Sequence, residues 1–172
     1  MPQPAIFRAL AYSDNLAADD ALIAALPEAE LQAQERIVEA VLIRRKPTGL
    51  MGLVAYYHKL DNTLQQRILG ACDRLYGALR DCRAVEEPEA RLNIIDIILK
   101  AKQYRLAYLL TSLLRDRAPR VREAAAVAIR TLTGMFLTEI AQLRKTTAET
   151  GLGDSTRRNE VQNQLQHWVE DR

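Results

Sequence analysis

The 172-residue chain has few of the residues on which metal sites and nucleophilic active sites are built. It carries two cysteines and two histidines, and neither His58 nor His167 stands at ligand spacing from Cys72 or Cys82. No CxxC, HExxH or facing pair of carboxylates occurs, so the sequence implies no metal and no cofactor. Cys72 and Cys82 are ten positions apart. In one continuous helix they would lie roughly 15 Å from each other, too far to bridge, and they read as buried apolar filler.

Aromatic residues make up only 5% of the chain, with Gly 7 and Pro 6, and no alternation of β-branched residues lasts more than a few positions. That pattern excludes a sheet protein. The first residues, MPQPAIFRALAYSD, lack the basic segment and apolar core of a signal peptide. No stretch reads as the ~20 apolar residues of a membrane span. A cytoplasmic protein without membrane attachment is expected.

What is present is alanine, leucine, isoleucine, arginine and glutamate, with 48% apolar and 27% charged residues. This composition predicts an all-α soluble protein of one domain, or one and a fraction. The net charge of +2 conceals a gradient: residues 1–43 sum to −5, and residues 100–145 sum to +7. The basic half favours an acidic partner, whether protein or nucleic acid.

Along the chain, apolar residues recur at helical spacing between short turns, predicting about seven or eight helices. Asp19 and Asp20 are placed to cap a short helix ending at Leu26, and Pro27 to open the next, which ends at the cations Arg44, Arg45 and Lys46. Lys46–Gly49 reads as a turn, followed by a helix through Leu50, Leu53, Val54 and Tyr57. Asp61 or Asn62 caps a helix predicted to run through Leu64, Ile68, Cys72, Leu75 and Leu79. The segment from Leu92 to Leu99 is apolar on so wide a face that it should be the most buried helix. Residues 104–116 and 119–145 form a last large pair. Residues 1–149 are read as one repeat domain, 150–156 as a flexible turn and 157–172 as a C-terminal amphipathic helix carrying Val161, Leu165 and Trp168. GlyLeuGlyAspSerThr at 151–156 has no preceding strand and no following GKS or GKT, so it reads as a helix stop and N-cap rather than a phosphate loop.

A template of Val121, Ala125, Ala128, Ile129 and Leu132 recurs when shifted back by 31 residues (Ala90, Ile94, Ile97, Ile98, Ala101), by 57 (Leu64, Ile68, Ala71, Cys72, Leu75) and by 88 (Ala33, Ile37, Ala40, Val41, Arg44). Arg44 alone departs from it. Small residues at 40, 71, 101, 125 and 128 allow close helix approach.

Leu110, Leu113, Leu114, Asp116, Val121, Arg122, Ala125, Ala128, Ile129 and Leu132 resemble a HEAT repeat. Elsewhere the likeness is degenerate: Leu53, Tyr56, Tyr57 and Leu64 match at apolar positions only, and Pro88 to Arg91 resembles the start of a second helix. The resemblance implies a right-handed α-α superhelix of irregular helical hairpins. It also implies that Asp116 and Arg122 tie neighbouring turns together, with Val121, Ala125 and Ala128 as scaffold. Its functional implication is a non-enzymatic scaffold that binds another protein, one with an acidic surface, along an extended helical face. Arg115, Arg117, Arg120 and Arg130 are the candidate contacts. A nucleic-acid-binding module using residues 100–145 is the alternative, since alkylpurine DNA glycosylases among HEAT-like proteins use basic faces; a HEAT-like lyase or glycosylase-type enzyme has no supporting residue. His58 and Asp61, three apart, would form half of a base and orienter pair, but no nucleophile stands beside them.

Overall fold

The structure, a computed structural model, describes residues 3–150, and every regular element among them is helical. The turn expected at 150–156 and the helix expected at 157–172 lie outside these residues. Nine α-helices, joined by short 3₁₀ turns, occur among the described residues. The chain divides into two compact units, the first Met1–Ile97 and the second beginning at Ile98.

The first unit holds α1 (Gln3–Ala11), α2 (Ala17–Ala25), α3 (Leu31–Arg44), α4 (Pro47–Tyr56), α5 (Asn62–Gly70), α6 (Tyr76–Asp81) and most of α7 (Pro88–Lys100). Helix α1 packs on α3 and α3 on α5, while α2 packs on α4 and α4 on α6. Odd-numbered and even-numbered helices thus form two rows, linked by α2 with α3 and by α3 with α4. Two rows arise because each helix carries a wide apolar stripe. On α3, Ile37, Val38, Ala40, Val41 and Leu42 are all buried, at spacings that cover both the neighbouring row and the neighbouring hairpin.

Several boundaries differ from expectation, each for a local reason. Pro27 sits in a 3₁₀ turn, Leu26–Glu28, and α3 begins only at Leu31. The break before α4 falls at Arg45, which adopts a left-handed φ of 53° and whose N–H reaches the Val41 carbonyl. Pro47 then opens α4, drawing Thr48 and Gly49 into the helix. Gly49 belongs there because a Cβ would come within 2.8 Å of Asp19 Oδ1 and 3.0 Å of Val41 Cγ1. Asp61 caps α5 by accepting from the Leu64 N–H at 2.8 Å. The helix predicted to continue to Leu79 instead breaks after Gly70 into a 3₁₀ turn, Cys72–Arg74, and then α6. A single straight helix from Cys72 to Cys82 is therefore corrected, although Cys72 is buried as apolar filler. Helix α7 buries Ala90, Ile94, Ile95, Ile97 and Ile98, together with Arg91 and Asn93.

In the second unit helix α7 ends at Lys100, and Lys102, in the turn that follows, is another left-handed residue with φ 49°. A 3₁₀ turn, Tyr104–Leu106, leads into α8 (Ala107–Leu113), which packs on α9 (Pro119–Thr150). Leu109, Leu110 and Leu113 of α8 and Val121, Ala125, Ala128 and Leu132 of α9 are buried. Farther along, Phe136 lies against Tyr104 with ring centroids 4.8 Å apart, and Glu139 pairs with Lys102 at 2.8 Å. Segment Pro119–Thr146 of α9 is long and apolar enough to cross a membrane by length and composition alone, contrary to the expectation that no such stretch exists. Its alanines and threonines escape a search for large apolar runs, yet between Ala124 and Ala141 only Arg130 and Glu139 are charged.

Candidate functional site

Arg115, Arg117, Arg120 and Arg130 are all exposed, the first three around the α8–α9 turn and the last on α9. Asp116 shapes that turn: its Oδ1 accepts from the Ala118 N–H at 2.8 Å. Arg122 reaches backward from the first turns of α9, and its Nη1 donates to the main-chain carbonyls of Asp116 at 2.8 Å and Arg117 at 3.1 Å. Its grip is thus on carbonyl groups of its own hairpin. Val121, Ala125 and Ala128 are buried beneath it. The small side chains let α8 close on α9.

Arg91 makes the same contacts in the first unit. Its Nη1 donates to the carbonyls of Val85 and Glu86, the second at 2.8 Å. Pro88 and Arg91 stand to α7 as Pro119 and Arg122 stand to α9. In both cases a planar guanidinium satisfies acceptors in the loop before a helix that begins with proline.

Two polar devices in the first unit escaped the sequence reading. Arg44 is buried against Asp19, with Nε to Oδ1 and Nη2 to Oδ2 both 2.8 Å. The same guanidinium donates to the carbonyls of Leu10, Ser13 and Asn15, so one side chain closes the α1–α2 loop onto α3. Hydrogen bonding to Asp19 raises the Arg44 pKa above its ordinary value, against desolvation, which lowers it; the charges of Asp19 and Asp14 also raise it. Asp19 was expected as a helix cap, but α2 already begins at Ala17, whose N–H is held by Asn15 Oδ1. The signal for Arg44 was present as the one charged residue in an otherwise apolar template.

The second device is Asn93. Its Nδ2 donates to the carbonyls of Val54 at 2.8 Å and Ala55 at 3.0 Å, near the end of α4, and lies 3.0 Å from His58 Nδ1. His58 is therefore partnered by Asn93 while Asp61 is engaged as the α5 cap, which corrects the proposed His58–Asp61 pair. Tyr57 is buried, as a core residue should be, and burial pushes its phenol up to about 12, with Asp96 and Cys72 adding to the shift. Tyr56 is half-buried beneath Lys59, whose Nζ is 5.3 Å from the ring centroid.

Two clefts of the first unit lie beside α3. A cleft of about 760 Å³ lies between α3 and the α5 side, lined by Glu35, Arg36, Glu39, Ile43, Arg67 and Arg74 among others. A second cleft of about 360 Å³ separates α3 from α1, where Phe7, Ala11, Tyr12 and Ala40 join Arg36, Glu39 and Ile43. Arg36, Glu39 and Ile43 line both clefts and form the ridge between them. Arg36 and Glu39 are paired at 3.3 Å on this ridge, and Tyr12 beside it is 71% exposed. Among the described residues no group of three His, Cys, Asp or Glu gathers as a metal site. Such a surface offers shape, mixed charge and exposed apolar area to a macromolecule. Comparison with models of protein families, with curated proteins and with solved structures gives no match.

Proposed function

We propose that the protein is a non-enzymatic scaffold of HEAT-like stacked hairpins that binds another protein along an extended helical face. The observation that carries this reading is the row α1, α3 and α5, whose two adjoining clefts share the ridge of Arg36, Glu39 and Ile43. Stacking hairpins bury one apolar stripe against the next and leave a long, firm surface for recognition. The repeated grip of Arg91 and Arg122 on the preceding loops supports a unit that recurs along the chain. A right-handed superhelical arrangement is part of the proposal.

The exposed arginines Arg115, Arg117, Arg120 and Arg130 add a basic surface, and the proposed partner meets it with acidic residues. Replacing Arg117, Arg120 and Arg130 with Glu should weaken association with that partner mainly through slower encounter. The test of the class of partner is affinity capture from native cells with and without nuclease, accompanied by direct binding to random duplex and single strands. A nuclease-resistant protein partner agrees with the proposal. Affinity for random nucleic acid tighter than about 1 μM at physiological salt contradicts it, because that exceeds ordinary non-specific binding.

A further inference from the structure

Helix α9 is apolar on two sides, one of which meets α8 while the other lies open. Only 17% of its most apolar 18-residue window is buried. The covered side carries Val121, Ala125, Ala128 and Leu132. The open side carries Ala124, Val127, Thr131, Gly134, Thr138 and Ala141, of which Ala124 is half-buried and the rest exposed. Their spacing alternates three and four residues, the heptad seam with which one helix addresses another. Thr131 Oγ1 donates to the Val127 carbonyl at 3.1 Å and Thr138 Oγ1 to the Gly134 carbonyl at 2.9 Å, so each hydroxyl is tied to the helix backbone and its methyl group is left for an external contact. At Gly134 a Cβ would meet nothing within 4 Å, which leaves a notch in the seam.

We propose that this seam pairs with the same seam of a second copy of the chain, the two α9 helices lying antiparallel about a two-fold axis. In one register every position of the seam finds a fitting partner. Thr131 of each copy faces Gly134 of the other, so that a methyl group enters the notch, while Val127 faces Thr138 and Ala124 faces Ala141. Such small side chains let two helices approach at the short end of the usual separation of about 8–10 Å. The same register places Glu123 of each copy beside Arg144 of the other. It also lays the aliphatic stem of Arg130 over Leu137, which is 60% exposed. The two-fold axis makes each of these contacts twice.

Charge selects this occupant and this orientation. Glu123 and Arg144 are both exposed, and among the described residues neither is held in an ion pair. A parallel pair would set Glu123 against Glu123 and Arg144 against Arg144, whereas the antiparallel pair joins opposite signs at both ends of an uncharged seam. A bilayer is disfavoured because Arg130 and Glu139 interrupt the apolar window and Glu139 is held by Lys102. Roughly ten residues a side take part, less than half of a standard interface, so the pair forms only as concentration rises through the micromolar range.

Sedimentation equilibrium of the full chain from about 1 μM to about 1 mM tests the pairing. The expected result is a monomer at the low end, a dimer at the high end and nothing larger. Thr131→Lys, which places a charge beside the two-fold axis, should abolish the dimer over this range while helical circular dichroism is retained. If that variant loses its helical signal, Val127→Lys replaces it in the same measurement. Glu123→Arg should weaken the dimer about tenfold, and combining it with Arg144→Glu should restore association to within about threefold of wild type. A wild-type mass that stays monomeric throughout overturns the proposal, as does growth beyond a dimer or a dimer that survives in the folded lysine variant. So does a charge reversal at Glu123 that has no effect, or one that Arg144→Glu does not rescue. Cosedimentation of a monomeric chain with anionic phospholipid vesicles assigns the seam to a bilayer and overturns it too.

Discussion

Arg91 and Arg122, 31 positions apart, each donate from Nη1 to the carbonyls six and five residues back along the chain. The two differ in environment, Arg91 being 3% exposed whereas Arg122 lies open to solvent. A charged hydrogen bond is worth more, and leaves a costlier orphan when removed, where water cannot replace it. Arg91→Ala should therefore destabilise the protein by about 2–3 kcal/mol and Arg122→Ala by about 1 kcal/mol or less. Chemical denaturation of the two variants checks the order. Equal losses would show that solvent does not replace the donor at Arg122.

The Asp19–Arg44 pair has side chains only 1% exposed on both partners. Removing one partner of such a pair strands a buried charge, and Asp19→Ala should cost about 3–5 kcal/mol. The double variant Asp19→Leu with Arg44→Met should recover part of that loss. Recovery will be incomplete because replacing Arg44 takes its donors away from the carbonyls of Leu10, Ser13 and Asn15. A thermodynamic cycle of Asp19→Leu, Arg44→Met and their combination measures the coupling.

Ala125 is 0% and Ala128 1% exposed on the side of α9 that meets α8. Leucine at either position overpacks that contact, and each substitution should cost about 1–3 kcal/mol. Melting temperatures unchanged from wild type in both variants would contradict close packing there.

Tyr57 provides a test at alkaline pH. Its phenol is pushed from 10.0 to about 12 in the folded protein. The unfolded chain therefore releases this proton first as pH rises. The contribution is fully present below pH 10 and is lost as pH rises through about 12. The shift corresponds to roughly 2–3 kcal/mol. Tyr57→Phe should flatten this part of the stability profile, measured by urea unfolding at a series of pH values. A profile of unchanged slope would show that other groups account for the alkaline loss.

The all-helical class was legible in composition and periodicity, and so in large part was the α8–α9 hairpin: Leu110, Leu113, Val121, Ala125, Ala128 and Leu132 are buried, whereas Ile129 is half-buried and Leu114 is 41% exposed. Helix existence follows from local patterning, which a sequence displays. The buried polar contacts do not. Arg44 meets Asp19 across 25 positions, and Asn93 meets Val54 across 39; neither spacing is a period of any helix. Arg44 looked like a C-terminal cation, and Asp19 like a cap, because each residue type suits those local roles. The break after Gly70 was hidden for a related reason: Leu64, Ile68, Cys72, Leu75 and Leu79 keep helical spacing while the chain changes direction between them. The clefts beside α3 were illegible because they depend on which helices become neighbours.

The scaffold reading stands or falls on the ridge between those clefts. Ile43 is 37% exposed near the end of α3, where a cation is well tolerated, so Ile43→Lys should leave the fold intact. The deciding measurement is calorimetric titration of the captured, nuclease-resistant partner into wild type and into Ile43→Lys combined with Arg36→Glu, with circular dichroism confirming that both are folded. The account predicts at least a tenfold loss of affinity, about 1.4 kcal/mol, as expected when a central contact is removed. Equal affinity for the two proteins would contradict it, because the partner would then be held by some other surface.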